Sequence, residues 1–296
     1  MAQGVIELSE SHDVDSTTEN SIQYFLDRFY MSRISTKVLT QQHHFLFGTP
    51  EDEKDPRPNR IGVIDTECNV KAIVDQAYKN ASFLCEEYYS MAPDIDVTLH
   101  NPEGKRVPVA LSYPPQHLYH ILFELFKNSM RAIVEARKRS TLDLPDIDVL
   151  ISKGESDISI RISDQGGGIP RHIQENLFRY LYSTAPMPSM QPTKAPLAGY
   201  GFGLPLSRLY ARYFHGDLIL NSCEGYGTDA IVYLKTEESE AMELLPLYNK
   251  TSTKQYRSSV PVADWTDPHS TMNKQYHPMQ QQHHPDPRAA ATPGKA

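Results

Sequence analysis

The sequence predicts an α+β fold: a two-layer α/β sandwich with its helices gathered on one face of a sheet, preceded by a separate helical segment. Three observations lead there. Apolar residues recur at helical spacing in several segments. Runs of strand character come in consecutive pairs separated by short turns. The two kinds of segment alternate as helix, strand pair, helix, strand pair, helix, strand pair. Strands joined by short turns pair antiparallel, which leaves one face of the sheet for the helices. At 296 residues, 39% hydrophobic and 22% charged, the chain is long and apolar enough to bury a core.

The elements follow in order. Residues 1–19 are polar and acidic and read as irregular. Ile22, Phe25, Leu26 and Phe29, continued by Val38, Leu39, Phe45 and Leu46, mark a helix over 20–47, capped by Thr18 or Asn20. Pro50, Pro56 and Pro58 make 49–60 a linker. A second amphipathic helix, in a segment that begins near Asp65, carries Val70, Ile73, Val74, Ala77, Tyr78, Ala81, Leu84, Cys85 and Tyr88. Ile95–Leu99 alternates as a strand, Asn101-Pro102-Glu103-Gly104 reads as a turn, and Val107–Leu111 as the returning strand. Pro114-Pro115 opens a long helix reaching Arg139. Strands are predicted at 147–152 and 158–163, a short helix at 171–181, a Pro/Ser-rich loop at 183–198, a helix at 204–214, and strands at 217–222 and 226–235. The last segment, 267–296, is rich in His, Gln and Pro and has too few large apolar groups to offset the entropy of ordering.

Composition narrows the function. A net charge of −8 argues against a phosphate backbone as the main partner, so nucleic acid is not expected. Cys68, Cys85 and Cys223 are too far apart for a disulfide framework or a paired metal motif and fit a reducing compartment. No run of 18 apolar residues exists, so no membrane span is expected.

Four motifs carry chemistry. In the long helix, His120, Glu124 and Asn128 are spaced four apart, so they form one polar stripe on a largely apolar helix. Left unpaired and buried, such groups cost roughly 1–3 kcal/mol each. They call for a ligand, with an amide for a metal–phosphate group and a carboxylate to accept a hydroxyl proton; an exposed polar face reads equally well from this segment alone. Asp164-Gln165-Gly166-Gly167-Gly168 follows a strand: its carboxylate suits an exocyclic amine such as that of adenine, and its glycines allow close backbone approach. Gly199-Tyr200-Gly201-Phe202-Gly203-Leu204 leads into a helix whose first amides suit phosphate. It is neither a Walker loop nor a Rossmann fingerprint. Gly225-Tyr226-Gly227-Thr228 opens the last strand.

The order Glu-x-x-x-Asn, Asp-x-Gly-x-Gly, Gly-x-Gly-x-Gly, Gly-Thr resembles the GHKL, or Bergerat, ATP-binding fold of gyrases, heat-shock chaperones, mismatch-repair ATPases and histidine kinases. The strings YFLDRFYMSRIST (24–36), FELFKNSMRA (123–132), YSTAP (182–186), LAGYGFGLPLSRLYARYF (197–214) and GYGTDAIVYLK (225–235) closely resemble pyruvate dehydrogenase kinases, with branched-chain ketoacid dehydrogenase kinases as the sister group. The resemblance covers roughly 20–265 and implies a serine kinase of the mitochondrial matrix that uses ATP and Mg²⁺ and acts on the pyruvate dehydrogenase α subunit. It implies Glu124 as general base, His120 orienting it, Asn128 as Mg²⁺ ligand, Arg131 near the phosphates and Asp164 on adenine in a pocket shaped by Gly166 and Gly168. Ser183, Thr184 and Thr228 complete the nucleotide site, and Gly199, Tyr200, Gly201, Phe202, Gly203 and Leu204 close over the phosphates. It further implies a homodimer, steadied by Asp264-Trp265 in a C-terminal arm at 237–266, and docking on the lipoyl domain of the acetyltransferase core.

The front of the chain departs from the family. Of an N-terminal helical bundle only the 20–47 helix is present, and the first residues show neither the basic nor the apolar segment of a targeting peptide. One amphipathic helix cannot bury its own apolar stripe, so lipoyl docking is the expectation most exposed to this loss. Two other readings stand beside the kinase: a nucleotide-binding, dimerising module without transfer activity, and a histidine kinase, for which His43 and His44 sit poorly at the end of their helix.

Overall fold

The structure, a computed structural model, describes residues 16–48, 59–102, 108–137, 143–185, 201–236 and 242–244, with Gly4 and Glu7. The Asp264-Trp265 pair, the 267–296 tail, most of the 49–60 linker, and Gly199 and Tyr200 lie outside the described residues. Along the chain run α1 (Ser16–Phe47), β1 (Arg60–Ile61), β2 (Ile64–Asn69), α2 (Val70–Tyr89), β3 (Ile95–His100), β4 (Ala110–Tyr113), α3 (Pro115–Arg137), β5 (Ile147–Lys153), β6 (Asp157–Asp164), α4 (Arg171–Gln174), α5 (Gly203–Tyr213), β7 (Asp217–Cys223) and β8 (Gly227–Lys235).

A five-stranded sheet in the order β3-β5-β6-β8-β7 is the floor, and the α+β sandwich is as expected. Alternation sets its inner face: Ile147, Val149 and Ile151 of β5, Ile158, Ile160 and Ile162 of β6, and Ala230, Val232 and Leu234 of β8 are buried. The α3 helix lies on β6 and α5 on β7 and β8, while α2 packs on α3. On α3, Leu118, Ile121, Leu122, Leu125, Phe126 and Met130 are buried. Asn69 starts α2 by accepting a bond from the Ala72 N–H (3.1 Å), and Ser90 ends it in the left-handed conformation.

The two expected hairpins 147–163 and 217–235 form, as β5–β6 and β7–β8. The third does not. Instead of pairing with each other, β3 runs parallel to β5, and β4 runs antiparallel to β2 in a separate three-stranded sheet, β1-β2-β4. The reason is register. Parallel alignment sets Ile95, Val97 and Leu99 beside Ile147, Val149 and Ile151, placing three apolar pairs on one face. Parallel strands need a long crossover, and α3 lies within it. The segment near Asp65, expected to lead into a helix, is strand β2 up to the cap at Asn69. The predicted helix 171–181 stops at Gln174, and residues 175–181 continue in turns as far as Leu181, whose φ is +65°.

Helix α1 begins at Ser16, earlier than expected, and does bury one face. Leu26, Met31, Ile34 and Val38 are sequestered, whereas Phe25, Leu39, Leu46 and Phe47 remain exposed. It packs on α5 and on the turn around Tyr180. Gln23 accepts from the Tyr180 N–H (2.8 Å) and donates to its carbonyl (3.3 Å), and the Tyr180 hydroxyl donates to Asp27 (2.8 Å). Burial raises the Asp27 pKa against the opposing Tyr180 hydrogen bond and the Arg212 and Arg208 charges. Arg179 pairs with Glu19 (3.3 Å) and Asn20 (2.9 Å).

Phe126 is fully buried and meets Tyr78 of α2 edge-on, with ring centroids 5.9 Å apart. Phe126→Ala is expected to destabilise the fold by about 3–5 kcal/mol. Urea unfolding checks this through a lowered midpoint with an unchanged slope.

Candidate functional site

A cavity of about 440 Å³ opens between α3, the turn after β6, the start of β8, residues 182–184 and the first turn of α5. Its lining includes every described residue the sequence proposed for the site: His120, Glu124, Asn128 and Arg131 from α3; Asp164, Gly166 and Gly168 from the turn; Ser183, Thr184 and Thr228; and Gly201 to Leu204. Residues dispersed over more than a hundred positions meet because α3 packs on β6, with Ser129 bonded to Asp164 at the strand's end and Ala132 against Gly166.

Asp164 lies at the inner end of the cavity, 7% exposed. Register places it opposite Thr228. Its Oδ1 accepts the Gly166 N–H (2.9 Å). Burial raises its pKa, opposed by hydrogen bonds from the Gly166 amide, the Ser129 hydroxyl and the Thr228 amide. The glycine turn then passes tightly under β7. Gly168 has φ +68°, and a Cβ there would collide with the Cys223 carbonyl, so no other residue fits this path. The Ser222 hydroxyl ties the two walls, accepting from the Ile169 N–H (2.7 Å) and lying 2.9 Å from the Thr228 hydroxyl.

Glu124 also lines the cavity. Its Oε1 pairs with Lys127 Nζ at 2.8 Å, with the two side chains 17% and 12% exposed. Its Oε2 abuts Gly203, where any Cβ would collide with it, so the carboxylate lies against the first residue of α5. His120 Nε2, one turn earlier, is buried without a hydrogen-bond partner. Burial lowers the His120 pKa, with Glu124 opposing and Lys127 and Lys37 reinforcing, so the ring is neutral. The carboxylate's recorded ionic partner is therefore Lys127. Sequence reasoning passed over Lys127, although an opposite charge three residues after Glu124 was a readable signal.

Arg131 reaches across the cavity: Nε pairs with Glu135 (3.1 Å), and Nη2 lies 3.5 Å from Thr184 Oγ1. Glu135 also accepts from the Tyr89 hydroxyl (2.9 Å). The Ser183 hydroxyl accepts the Ala185 N–H (3.1 Å). Phe202 joins Tyr30 and Tyr180 in an aromatic cluster, with centroids 5.7 and 5.8 Å away, so α1 supports the glycine run from behind.

A cavity with a buried carboxylate beside a glycine turn and a helix N-terminus beside a carboxylate–amide stripe defines a nucleotide-binding ATPase fold. Residues 113–238 match the family of histidine kinase-, DNA gyrase B- and HSP90-like ATPases, and residues 1–65 match that of mitochondrial branched-chain α-ketoacid dehydrogenase kinase. Full-length comparison is more specific. The chain is 54% identical over 272 residues to a mitochondrial pyruvate dehydrogenase (acetyl-transferring) kinase of Drosophila melanogaster, covering 90% of this chain and 65% of that one. It is 53% identical over 266 residues to its counterpart from Ascaris suum, covering 90% and 66%. It is 50% identical over 271 residues to human isozyme 3, covering 91% and 66%. Over the span it shares with them, the chain is similar in sequence to the pyruvate dehydrogenase kinases. It spans about 65% of the length of these relatives.

The raised pKa of Asp164 has a consequence for stability. A carboxyl that ionises later in the folded state than its ordinary 3.8 contributes stability in acid that is lost as pH rises through its folded value. Asp164→Asn removes that loss. Thermal melts are expected to show the variant more stable than the parent at neutral pH, with the gain shrinking as the ordinary carboxylate value is approached.

Proposed function

We propose that the chain is an ATP-dependent protein serine kinase that phosphorylates and inactivates the pyruvate dehydrogenase α subunit. The observation that carries the reading is the meeting of all described motif residues around one cavity, Glu124 and Asp164 among them. The names of the relatives favour pyruvate dehydrogenase over the branched-chain dehydrogenase as substrate.

In this reading Asp164 accepts the exocyclic amine of adenine, and Gly166 and Gly168 shape the pocket around the base. Thr228 completes that wall. Ser183 and Thr184 face the sugar–phosphate region, Arg131 the phosphates, and Gly199 to Leu204 fold over them with the α5 N-terminal amides aimed inward. Glu124 takes the proton of the substrate serine hydroxyl. The serine oxygen then bonds to the terminal phosphorus as the bond to the β-phosphate oxygen breaks and ADP leaves. Phosphoryl transfer demands little more of a protein than this positioning and charge placement. His120, one turn before Glu124 on the same helix face, is the residue we assign to orient the base.

The donor set suits Mg²⁺: Asn128 lines the cavity on the same helix face as Arg131 and offers an amide oxygen, and Mg²⁺ takes few protein ligands when phosphates supply the rest. Asn128 is the ligand we assign. When bound, the ion neutralises phosphate charge.

The resemblance supports homodimerisation and docking on the lipoyl domain of the acetyltransferase core, with α1 as part of a helical regulatory region. The relatives' names support a mitochondrial location. Among the described residues no helix is long and apolar enough to cross a membrane.

Glu124→Gln is expected to bind ATP as the parent does while losing phosphate transfer to the α subunit at least about 100-fold, the lower end of a general-base contribution. A radiolabel transfer assay beside calorimetric ATP titration checks both arms. Transfer at the parental rate removes Glu124 as base; an ATP affinity lost together with transfer would make its role one of binding.

A further inference from the structure

The pairing of Glu124 with Lys127 competes with a carboxylate's acceptance of a proton. An ammonium 2.8 Å from Oε1 takes one of that oxygen's acceptor positions, and Oε2 lies against Gly203. The pair is also among the least exposed ion pairs described, so solvent does little to loosen it. Something else has to draw Lys127 away.

The charge lining the cavity says what. Among the described lining residues the fixed charges are Lys127 and Arg131 against Glu124 and Asp164, which cancel. Arg131 is already engaged with Glu135 and Thr184. A nucleoside triphosphate with one Mg²⁺ still brings a net charge of about −2 into this balanced space, next to Glu124, where like charges repel at short range. Lys127 is the basic side chain placed to answer them. Positions 124, 127, 128 and 131 fall on one helix face at i, i+3, i+4 and i+7, which puts Lys127 between the carboxylate and the Asn128–Arg131 pair. Its stem runs beside the Phe123 ring, with Nζ 5.0 Å from the centroid. A compact ammonium on a flexible stem can exchange partners where a guanidinium fork holds one.

We propose that Lys127 reads the terminal phosphate: it neutralises Glu124 while the cavity lacks a triphosphate and transfers its charge to the terminal phosphate when ATP is bound, freeing Glu124 Oε1 for the serine hydroxyl. The inference rests on the nucleotide reading above and adds a residue to it. It makes the base available only when the group to be transferred is in place, and it makes Lys127 the source of discrimination between ATP and ADP.

The test titrates the whole chain with ATP and with ADP by calorimetry, for the parent, Lys127→Met, Lys127→Gln and Lys127→Arg. Both neutral variants are expected to weaken ATP at least tenfold and ADP less than twofold, while Lys127→Arg recovers part of the ATP preference. A side chain that merely supports the helix would move both nucleotides together. Equal weakening of ATP and ADP, or no weakening in either neutral variant while the parent binds both, overturns this inference alone. A parent that binds neither nucleotide overturns the nucleotide reading and this inference with it. Circular dichroism identifies a variant that fails to fold, and the other neutral variant then decides.

Discussion

The site depends on one buried carboxylate. Asp164 ends β6 beneath α3, and its position fixes what surrounds it: the Gly166 amide turns back onto it, and the β6–β8 register brings Thr228 opposite. The Gly168 turn is pressed against the Cys223 carbonyl. The raised pKa records the cost of burying a charge there. A fold keeps such a cost when a ligand uses the group, and a buried carboxylate acceptor lining the cavity is suited to an amine. The Asp-x-Gly-x-Gly motif is thus a structural statement before it is a chemical one.

A second constraint ties the helical front of the chain to this site. Tyr180 is held by Gln23 through both backbone groups and by Asp27 through its hydroxyl, and its ring lies against Tyr30 and Phe202. Hydrogen bonds of this kind contribute about 0.5–1.5 kcal/mol each. Together they fix residues 179–182, which lead directly into Ser183 and Thr184. The N–H of Leu181, with its left-handed backbone, donates to the Gly201 carbonyl (3.0 Å), so Gly201 and Phe202 rest on the same turn. Helix α1 is therefore a wall of the ATPase domain as well as a helix with an exposed apolar side.

How far the sequence was legible follows from the range of the interactions. The β5–β6 and β7–β8 hairpins were readable because Gly154 and Gly225 sit in short turns between alternating strands. Pairing of β3 with β5 was not, because Ile95–Leu99 alternates equally well for a hairpin, and only the three apolar pairs formed across fifty residues decide. The stripe His120, Glu124, Asn128 was visible from spacing alone, and so was the Asp164 turn. Lys127 escaped notice because lysine on a helix is usually solvated, and its burial beside Glu124 depends on α5 lying across it. The docking of α1 was hidden for the same reason: Gln23 and Tyr180 are 157 residues apart.

The measurement that bears most directly on this account compares ATP with ITP, in which a carbonyl replaces the exocyclic amine of the base, by calorimetric titration of the parent chain and of Asp164→Asn. If the buried carboxylate is kept for that amine, the parent should prefer ATP by at least about 100-fold, because a polar site built for an N–H donor rejects an acceptor in its place. The variant should lose most of that preference. Equal affinity of the parent for both nucleotides would contradict the central claim, since the burial of Asp164 would then serve the fold alone.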